Sequence, residues 1–409
     1  MAGMLSDLQK NIRKNGGLFQ RGSIDTAFFT FLVLIVVTGL IMLYSSTYAY
    51  AYYYYESSTY FFGRQVVWAL IGFVLMLIVS RLNIEAIKAP VAHLSTLGSW
   101  ALLCIALLMP AHNGTHRHIY IGSLQFQPSD VAKLALILTL AYWLDKYHNV
   151  VLSKKPLQGN LSKMINERVG KPVMNDSVKI IVLLGVIILI YAVLVIAGKH
   201  LSGTILILSI GIIMLYLGEI RGKWFAFGGA ALGAVGFIAW KSGLLADYMA
   251  ERIEAWVNKD FDPLGVRWQT NQALYAIGSG GIFGKGLGQS TLKHMYVSEP
   301  QNDMIFSIVV EELGFIGAAA IIILFALLIW RGVVIGINSP TRYGALVSMG
   351  IVFLLGVQVI LNIAVATDSV PNTGISLPFF SYGGTALVMN MVEMGFVLNV
   401  SRSSRIRRR

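Results

Sequence analysis

About ten apolar runs divide this chain, and each has close to the length that a helix needs to cross a bilayer. A spanning helix takes about 20 apolar residues, and lipid offers no partner for backbone groups outside helices and closed barrels. The runs lie at about residues 25–45, 62–80, 92–110, 129–145, 178–197, 203–218, 223–240, 303–330, 343–366 and 375–400. The sequence therefore predicts an all-α, polytopic membrane protein with about ten transmembrane helices, built as a single integral membrane domain over residues 1–409.

The composition agrees with a membrane protein and excludes several other classes. Hydrophobic residues make up 56% of the chain and charged residues 13%, which is too apolar for a soluble globule of this size. The single cysteine, Cys104, excludes an internal disulfide and a cysteine-based metal site. The net charge of +12 is spread over short loops rather than gathered with aromatic residues on one face, so no nucleic-acid partner is predicted.

The charges of the loops predict the orientation. With an even number of spans both termini share one side, and that side carries roughly 21 Lys and Arg residues against roughly 8 on the other. We therefore predict that the tail 1–24, the loop 146–178 and the basic tail 402–409 are cytoplasmic. The long loop 241–302, between predicted helices 7 and 8, is then extracytoplasmic, and loops of this length often carry function.

Asp130 and Lys133 are ionisable residues near the outer end of a predicted helix that begins at Pro128. Residues three apart share a helical face, so the two side chains can pair and point into the bundle. A first-turn aspartate is also favoured by the helix dipole alone, and the lysine ammonium can reach outward to water. Together with Arg117, in the preceding loop, Lys133 would instead form a cationic seat for a phosphate or pyrophosphate. The residues alone leave both interpretations open.

The long loop contains two segments of unusual composition. Trp256 and Val257 stand among charged residues, which predicts an amphipathic segment along the membrane surface. The run AIGSGGIFGKGLGQS, residues 276–290, has the glycine spacing of a dinucleotide site but no preceding strand, so that interpretation fails. We interpret its glycines as tight turns of a segment that re-enters the outer leaflet and lines a cavity.

Three acidic residues mark the end of the long loop and the helix after it. Asp303 fits either a helix N-cap or a carboxylate at the mouth of an apolar groove, with a raised pKa suited to a base. Glu311 and Glu312, about two turns deeper, are interpreted as internally hydrogen-bonded structural groups. His200 has no second histidine at metal-binding spacing, so no metal site is predicted from side chains alone.

Two further segments carry weaker signals. The aromatic run YAYAYYYYESSTYFF, from Tyr48 to Phe62, predicts an interfacial belt, with lipid or sugar stacking as the alternative. Near the C-terminus, Pro371, Pro378 and Gly383 interrupt an otherwise spanning segment. This pattern favours either a broken or re-entrant entry to the last helix or a kinked helix packed through small residues.

Three long motifs resemble the SEDS family of bacterial cell-wall polymerases, which includes FtsW, RodA and a sporulation paralogue. They are QFQPSDVAKLALIL, IGSGGIFGKGLGQSTLKHMYVSEPQNDMIFSIVVEELGFIG and PNTGISLPFFSYGGTALVMNMVEMGFVLNVSR. They occur in the family's order and the resemblance extends over nearly the whole chain. The form NTGISLPFFSYGG is closer to the FtsW or sporulation branch than to RodA.

The resemblance implies a peptidoglycan glycosyltransferase that polymerises lipid II at the outer face of the bacterial cytoplasmic (inner) membrane during cell division or sporulation. Asp303, in SEPQNDMIF, aligns with the acidic residue of the family's PExxxDFIF-like motif and would act as general base. Asp130 and Lys133 align with the family's QPSE-xx-K motif, with aspartate in place of the usual glutamate. The residues assigned to substrate binding are Lys133, Asp130, Arg117, Glu299, Gln269 and Ser381.

The resemblance also implies partners and a cofactor. The expected partners are lipid II, undecaprenyl-pyrophosphate-linked glycan, a class B penicillin-binding protein and other division or sporulation membrane proteins. A divalent cation, Mg²⁺ or Mn²⁺, is expected to bridge the pyrophosphate. In the segment AGKHLSGT the family pattern is replaced by Lys199 and His200, so no site is transferred there.

Two other functions are compatible with parts of this pattern. A flippase for lipid-linked precursors would need polar residues that continue to the cytoplasmic side. A non-enzymatic scaffold for a penicillin-binding protein would leave Asp303 dispensable. The clustering of candidate residues at the outer mouth favours chemistry there.

Overall fold

A computed structural model describes residues 19–20, 22–110, 115–122, 124–148, 176–220, 222, 224–225, 228–229 and 246–404 of the chain. Its helices are α1 (Thr26–Tyr55), α2 (Tyr60–Arg81), α3 (Ile84–Leu108), α4 (Pro128–Lys146), α5 (Asp176–Ala197), α6 (Leu201–Leu217), α7 (Ala246–Val257), α8 (Trp268–Gly280), α9 (Ile305–Ile337), α10 (Arg342–Ala366) and α11 (Gly384–Ser403). Its strands are β1 (Ile119–Ile121) and β2 (Leu124–Phe126), which pair antiparallel.

The helical fold predicted from the apolar runs is confirmed. Seven described helices are long and apolar enough to cross a membrane: α1, α2, α3, α5, α9, α10 and α11. Helix α6 is apolar but has 17 residues, and α4 has charged residues near both of its ends. The predicted span at 223–240 lies mostly outside the described residues, as do most of the predicted tails and of the loop 146–178. The count of about ten spans therefore stays a prediction.

Helix α4 lies at the centre of the bundle. It contacts α3, α5, α6, α10 and α11, and nearly all of its side chains from Pro128 to Leu144 are buried. The other long helices keep apolar side chains on their outer faces, for example Leu70 on α2 and Ile323 on α9. Because α4 begins with Pro128, Asp130 and Lys133, its polar first turns lie inside the bundle rather than at its rim.

The segment before α4 forms a hairpin that the sequence analysis treated as a loop. Ile119 pairs with Phe126 and Tyr120 with Gln125, and Gly122 turns the chain with a φ of +62°. Side chains that alternate around a turn glycine are typical of a hairpin, but two three-residue strands are too short to stand out beside a long apolar helix. The hairpin fixes the path from Arg117 to α4.

The last helix has a broken entry, as one of the two interpretations of that segment predicted. Residues 371–383 are not helical, and α11 begins only at Gly384. Gln65 on α2 holds this entry, because its Nε2 donates to the Ser381 carbonyl at 3.3 Å and its Oε1 accepts from the Gly383 amide at 3.3 Å. The Gln65 side chain thus provides hydrogen-bond partners for backbone groups that have no helical partner in this non-helical segment.

The glycine-rich run lies against a kink in α9. Gly314, inside α9, has a φ of +68°, which interrupts the helical geometry there. The freed groups pair with the glycine run: the Lys285 and Gly286 amides donate to the carbonyls of Glu311 and Glu312, both at 2.9 Å. In return, the Phe315 amide donates to the Gly281 carbonyl at 2.9 Å. The tight turns predicted for this run therefore serve to pair it with the kinked helix.

Two buried glutamates attach the same run to α9 through their side chains. Glu311 accepts from the Lys285 ammonium at 2.6 Å and from the hydroxyls of Ser290 and Thr291. Glu312 accepts from the Lys293 ammonium at 2.6 Å and from the Ser45 hydroxyl at 2.5 Å. The prediction that these two acids are internally hydrogen-bonded structural groups is confirmed.

Replacing Gly284 with alanine should destabilise the protein more than replacing Gly288. Both glycines have φ near +80°, but a Cβ on Gly284 would lie 2.2 Å from the Glu312 carbonyl oxygen, whereas a Cβ on Gly288 meets nothing within 4 Å. The clash should lower the free energy of unfolding by about 1–3 kcal/mol beyond the shared cost of the positive φ. Thermal unfolding of the purified variants in detergent measures the difference, and equal losses would contradict the close approach.

Candidate active site

Asp303 lies between the long loop and α9, and its side chain does not cap the helix. The N-cap position of α9 is Met304, with no side-chain cap hydrogen bond, so the capping interpretation of Asp303 is wrong. Its Oδ1 accepts a hydrogen bond from Gln269 Nε2 at 3.1 Å, and its backbone carbonyl accepts one from Asn362 Nδ2 at 2.7 Å. The side chain is partly exposed. Gly374 lies next to the other carboxylate oxygen: a Cβ atom added to Gly374 would be 3.9 Å from Asp303 Oδ2.

The surroundings of Asp303 favour its protonated form. Burial raises the pKa of the Asp303 carboxyl above its ordinary value, and the negative charge of Glu299 raises it further. The backbone amide of Asp303, the hydrogen bond from Gln269 and the charge of Arg252 act in the opposite direction. A carboxylate whose pKa moves toward neutrality is a better proton acceptor, as a general base requires.

Glu299 shapes the approach to Asp303 and stays in contact with water. It is exposed and has a φ of +47°, and its Oε2 accepts a hydrogen bond from Asn302 Nδ2 at 2.6 Å. The Asn302 amide also donates to the Glu299 carbonyl at 3.0 Å, which closes a turn just before Asp303. Its assignment to substrate binding stays a prediction.

A chain of hydrogen bonds leads from α7 to Asp303. Arg252 on α7 donates through its Nη1 to the Asn372 carbonyl, and Asn372 Nδ2 donates to Gln269 Oε1 at 3.3 Å. Gln269, on α8, then donates to Asp303. Gln269 therefore contacts the predicted base directly, while its role toward a substrate stays a prediction.

Helix α7 is held to the loop after α10. Trp256 Nε1 donates to the Asp368 carbonyl at 3.0 Å, and the Asp368 carboxylate accepts from Arg267 at 2.9 Å and from Lys259 at 2.6 Å. Val257 remains 68% exposed. The segment that was predicted to be amphipathic is thus a helix that Trp256 attaches to the loop after α10, and its position along the membrane surface stays a prediction.

Ser381 is tied to the protein backbone. Its hydroxyl donates to the Asn302 carbonyl at 2.7 Å and accepts from the Leu377 amide at 2.8 Å, and the residue is buried. This clamp fixes the residue next to Asp303. The assignment of Ser381 to substrate binding stays a prediction, with its hydroxyl already engaged in these two bonds.

The second cluster forms around the first turns of α4. Lys133 Nζ lies 2.9 Å from Asp130 Oδ1, and both side chains are buried. Burial lowers the pKa of His200 to about 3, and the charges of Arg117, Lys133 and His118 act in the same direction. The positive charges of Arg117 and Lys133 therefore both act on one neutral imidazole. The pairing of Asp130 with Lys133 is confirmed. The two residues of the predicted cationic seat, Arg117 and Lys133, both act on the His200 ring, and binding of a phosphate there stays a prediction.

Arg117 and His200 line a small crevice beside this cluster, together with His116 and Ser129. Gln127 Nε2 lies 3.3 Å from His200 Nε2. The Nε atom of Arg117 is buried and has no hydrogen-bond partner among the described residues. His200 is held by its neighbours inside the protein, and the described residues contain no metal-binding group with it.

Glu393 is a buried acid that the sequence analysis missed. It lies on α11, is 2% exposed, and interacts electrostatically with Lys133 and Asp130. Its signal is a glutamate inside the last apolar run, where an ionisable residue calls for a partner or a function. The sequence of that run is enough to identify Glu393 as a candidate, but it does not predict which helix packs against it.

The two clusters are linked by the chain around α11. Ser381, just before α11, donates to the Asn302 carbonyl beside Asp303, and α11 itself packs against α4, the helix of Asp130 and Lys133. The rise of a helix puts Glu393 about 14 Å along α11 from its first residue. The described contacts do not join Asp303 to Lys133 directly.

Replacing Asp303 with asparagine should stabilise the protein at neutral pH. Because the pKa of Asp303 is raised in the fold, its contribution to stability is largest below the ordinary pKa and is lost as the pH rises through the raised value. Asparagine removes this loss, so the melting temperature of the variant should exceed that of wild type at pH 8 and approach it at pH 4.

Asp368→Asn is the matched control, since Asp368 is paired with Arg267 and Lys259 and its replacement should lower the melting temperature. A lower melting temperature for Asp303→Asn at pH 8 would contradict the raised pKa.

Comparison with known proteins gives a consistent result. A family model for cell cycle proteins, FTSW_RODA_SPOVE, matches residues 25–406. Stage V sporulation protein E of Bacillus subtilis is 34% identical over 391 residues, which cover 94% of this chain and 99% of the relative. A Geobacter sulfurreducens protein named probable peptidoglycan glycosyltransferase FtsW is 32% identical over 382 residues, which cover 92% and 95%.

Solved structures show the same fold. A chain from a study of polymerization and crosslinking by a peptidoglycan synthase complex superimposes with a TM-score of 0.70 at 24% identity, covering 93% of this chain and 98% of that one. Rod shape determining protein RodA of Thermus thermophilus superimposes with a TM-score of 0.63 at 23% identity, with the same coverage. The RodA-like arrangement of helices therefore extends over nearly all of the chain.

Proposed function

This chain belongs to the FtsW/RodA/SpoVE family of cell cycle proteins, and on this basis we propose that it is a peptidoglycan glycosyltransferase that polymerises lipid II. Relatives about 30% identical over most of the chain carry the name probable peptidoglycan glycosyltransferase. The single observation that carries the proposal is Asp303, a partly buried carboxylate with a raised pKa at the end of the long loop.

In the proposed reaction Asp303 accepts the proton of a GlcNAc hydroxyl on the acceptor lipid. The oxygen then attacks the anomeric carbon of the donor glycan, a C–O bond forms, and the bond to undecaprenyl pyrophosphate breaks. The attack is in line, so the α-linked donor gives a β-linked product. A positioned general base typically contributes about 10²- to 10⁴-fold to the rate. Gln269 positions the Asp303 carboxylate for this step.

Lys133 and Arg117 supply positive charge for the departing pyrophosphate. Lys133 is held by Asp130 at 2.9 Å, and both cations act on the same His200 imidazole. Charge that develops on the leaving oxygen is stabilised most by donors that are already fixed in place and shielded from water. In this proposal Glu299 and Ser381 shape the acceptor side through the turn that precedes Asp303.

A divalent cation, Mg²⁺ or Mn²⁺, would take most of its ligands from the pyrophosphate and from water. The described residues contain no group of three or more His, Cys, Asp or Glu side chains placed to hold an ion. Asp303 and Glu299 are the carboxylates nearest to the proposed reaction, and one or two carboxylates are what Mg²⁺ commonly uses beside phosphate oxygens. When bound, the ion would neutralise charge on the leaving group.

The orientation and the partners form part of the same proposal. With both termini cytoplasmic, the long loop and Asp303 face the outer side of the cytoplasmic membrane, where lipid II presents its sugars. A class B penicillin-binding protein is the proposed transpeptidase partner, supported by the fold shared with a chain of a peptidoglycan synthase complex. Whether the enzyme serves division or sporulation depends on that partner and on other membrane proteins of the same assembly.

The alternative functions have less support. A flippase needs a polar path to the cytoplasmic side, but several charged residues there are engaged with one another, such as Arg331 with Asp25 at 2.8 Å and Lys88 with Asp145 at 2.7 Å. A passive scaffold has no use for a carboxylate with a raised pKa. The scaffold alternative predicts that Asp303 can be replaced without loss of function.

Replacing Asp303 with alanine or asparagine should abolish polymerisation of lipid II. The purified protein with its cognate transpeptidase is incubated with lipid II, and glycan strands are resolved by gel electrophoresis. We expect a rate loss of about 10²- to 10⁴-fold. The control is Asp260→Asn, since Asp260 is an exposed aspartate of the same loop. Full polymerisation by Asp303→Asn would exclude the general-base role.

Neighbours of Asp303 should shift the acid limb of the pH–rate profile in opposite directions. The base must be ionised, so kcat/KM falls as the pH drops through its pKa. Glu299→Gln removes a charge that raises the pKa of Asp303 and should extend activity to lower pH. Gln269→Leu removes a hydrogen bond that lowers this pKa. The pH below which activity is lost should therefore rise. Shifts in the same direction would contradict the assignment of the acid limb to Asp303.

A further inference from the structure

The C-terminal end of α1 carries tyrosines beyond the length that a bilayer needs. Helix α1 has 30 residues, whereas about 20 residues cross the hydrocarbon core of a bilayer. Its first turn is capped by Asp25, which is paired with Arg331. Counted from that end, the residues from Tyr48 onward lie at or beyond the far edge of the core. Tyr52 and Tyr53 are 69% and 70% exposed there.

An interfacial belt does not account for all of these tyrosines. The four consecutive residues from Tyr52 to Tyr55 are exposed and helical. Successive side chains of a helix point about 100° apart, so these four rings surround most of the helix and cannot all lie against lipid. An aromatic surface that is open to water is typical of an interaction site.

Part of this surface lines a cavity. Tyr48, Tyr52 and Tyr53 of α1 enclose a volume of about 420 Å³ together with His294 and Met295 of the long loop. Sites for small molecules commonly have volumes of about 300–1,000 Å³ and combine aromatic side chains with a few polar groups. Here the polar groups are the tyrosine hydroxyls and the His294 imidazole, so the cavity has the size and the composition of a ligand site.

One side of the cavity is fixed by charged neighbours. The Lys293 ammonium lies 4.6 Å from the centre of the Tyr48 ring, and the His294 ring meets the same ring edge-on at 6.0 Å between centroids. Lys293 is fully buried and is paired with Glu312 at 2.6 Å. A ring that is already held loses little freedom when a ligand binds, which favours binding. The ion pair that attaches the glycine-rich run to α9 therefore also prepares this cavity.

Ring contacts connect this end of α1 to the turn before Asp303. Tyr50, between the cavity residues of α1, contacts Phe61 at 6.0 Å between ring centroids, and Phe61 contacts Tyr382 at 4.9 Å. The Tyr382 amide then donates to the Gln301 carbonyl at 2.7 Å. The cavity is thus continuous with the packed unit that holds the proposed base, although its lining residues are not those of the site around Asp303.

We propose that this cavity binds a sugar ring of the growing glycan strand. The face of an aromatic ring is negative, and the C–H bonds on the face of a pyranose carry partial positive charge, so the two rings stack. The tyrosine hydroxyls and His294 can bond the sugar hydroxyls, whereas a lipid chain offers them nothing. This inference rests on the proposed function, in which the growing strand, unlike the disaccharide of the acceptor, extends away from the reacting bond.

The double variant Tyr52→Ala/Tyr53→Ala should bind glycan more weakly than wild type. The probe is the peptide-free GlcNAc–MurNAc tetrasaccharide, titrated by saturation-transfer-difference NMR against the protein in lipid nanodiscs. We expect Kd to rise about tenfold, because two stacking faces are lost. Tyr52→Phe/Tyr53→Phe keeps both rings and should stay within about threefold of the wild-type Kd. Tyr216→Ala is the matched control, since Tyr216 is 72% exposed at the end of α6, and it should leave Kd unchanged.

Ala49→Trp tests the cavity without removing a tyrosine. Ala49 also lines the cavity, so an indole at this position should fill it and abolish binding of the tetrasaccharide. The proposal would be overturned by a wild-type protein that does not bind the probe, by an unchanged Kd in Ala49→Trp or in the alanine double variant, or by equal losses in the phenylalanine and alanine variants. A loss of affinity in the alanine variant accompanied by a lower melting temperature would indicate a structural role and would also overturn it.

Binding is measured without turnover, so this inference and the proposed function can fail separately. A wild-type protein that polymerises lipid II but does not bind the tetrasaccharide would overturn this inference alone. One that binds the tetrasaccharide but does not polymerise lipid II would overturn the proposed function alone. When both are present, the alanine double variant should make shorter strands on electrophoresis, because a strand that is held less firmly dissociates earlier. Strands of wild-type length would show that the cavity does not hold the growing strand.

Discussion

The attachment of the glycine-rich run to α9 is the interaction on which the rest of the site depends. The kink at Gly314 frees backbone groups in a helix long enough to cross the bilayer, where lipid cannot pair with them. The glycine run supplies the missing donors and acceptors, and two lysine–glutamate pairs hold it in place, of which Lys293–Glu312 is fully buried. Since this run leads directly into the turn before Asp303, the position of the carboxylate follows from these contacts.

Asp303 takes its properties from elements that are far apart in the sequence. Gln269 comes from α8, Asn362 from α10, and the Ser381 clamp from the entry to α11. None of these contacts comes from a cationic side chain, and the pKa of Asp303 is higher than that of free aspartate. This raised pKa makes the ionised carboxylate a better proton acceptor than that of a free aspartate.

The helices could be predicted from the sequence because burial in lipid imposes a simple length rule. The predicted run at 343–366 became Arg342–Ala366, and the run at 178–197 became Asp176–Ala197. Helix α1 extends farther than its apolar run, to Tyr55, because the aromatic residues that suggest an interfacial belt also continue the helix. The β1–β2 hairpin was missed because its strands are short.

The site was predictable only where its members are close in sequence. Asp130 and Lys133 are three residues apart, and helical periodicity alone pairs them. The contacts of Asp303 with Gln269, and of Ser381 with Asn302, join residues whose separation gives no periodic signal. The N-cap alternative for Asp303 was wrong because α9 begins after Met304. The turn closed by Glu299 and Asn302 lies just before Asp303.

The hydrogen-bond chain from α7 gives the site a mechanical property. Arg252, Asn372 and Gln269 connect a surface helix to the Asp303 carboxylate, and α7 is held at its inner face while Val257 on its outer face is open to contact. The last of these hydrogen bonds, from Gln269, is also one of the contacts that lower the pKa of Asp303. The basicity of one carboxylate therefore depends on a contact whose geometry is set as far away as a surface helix of the long loop.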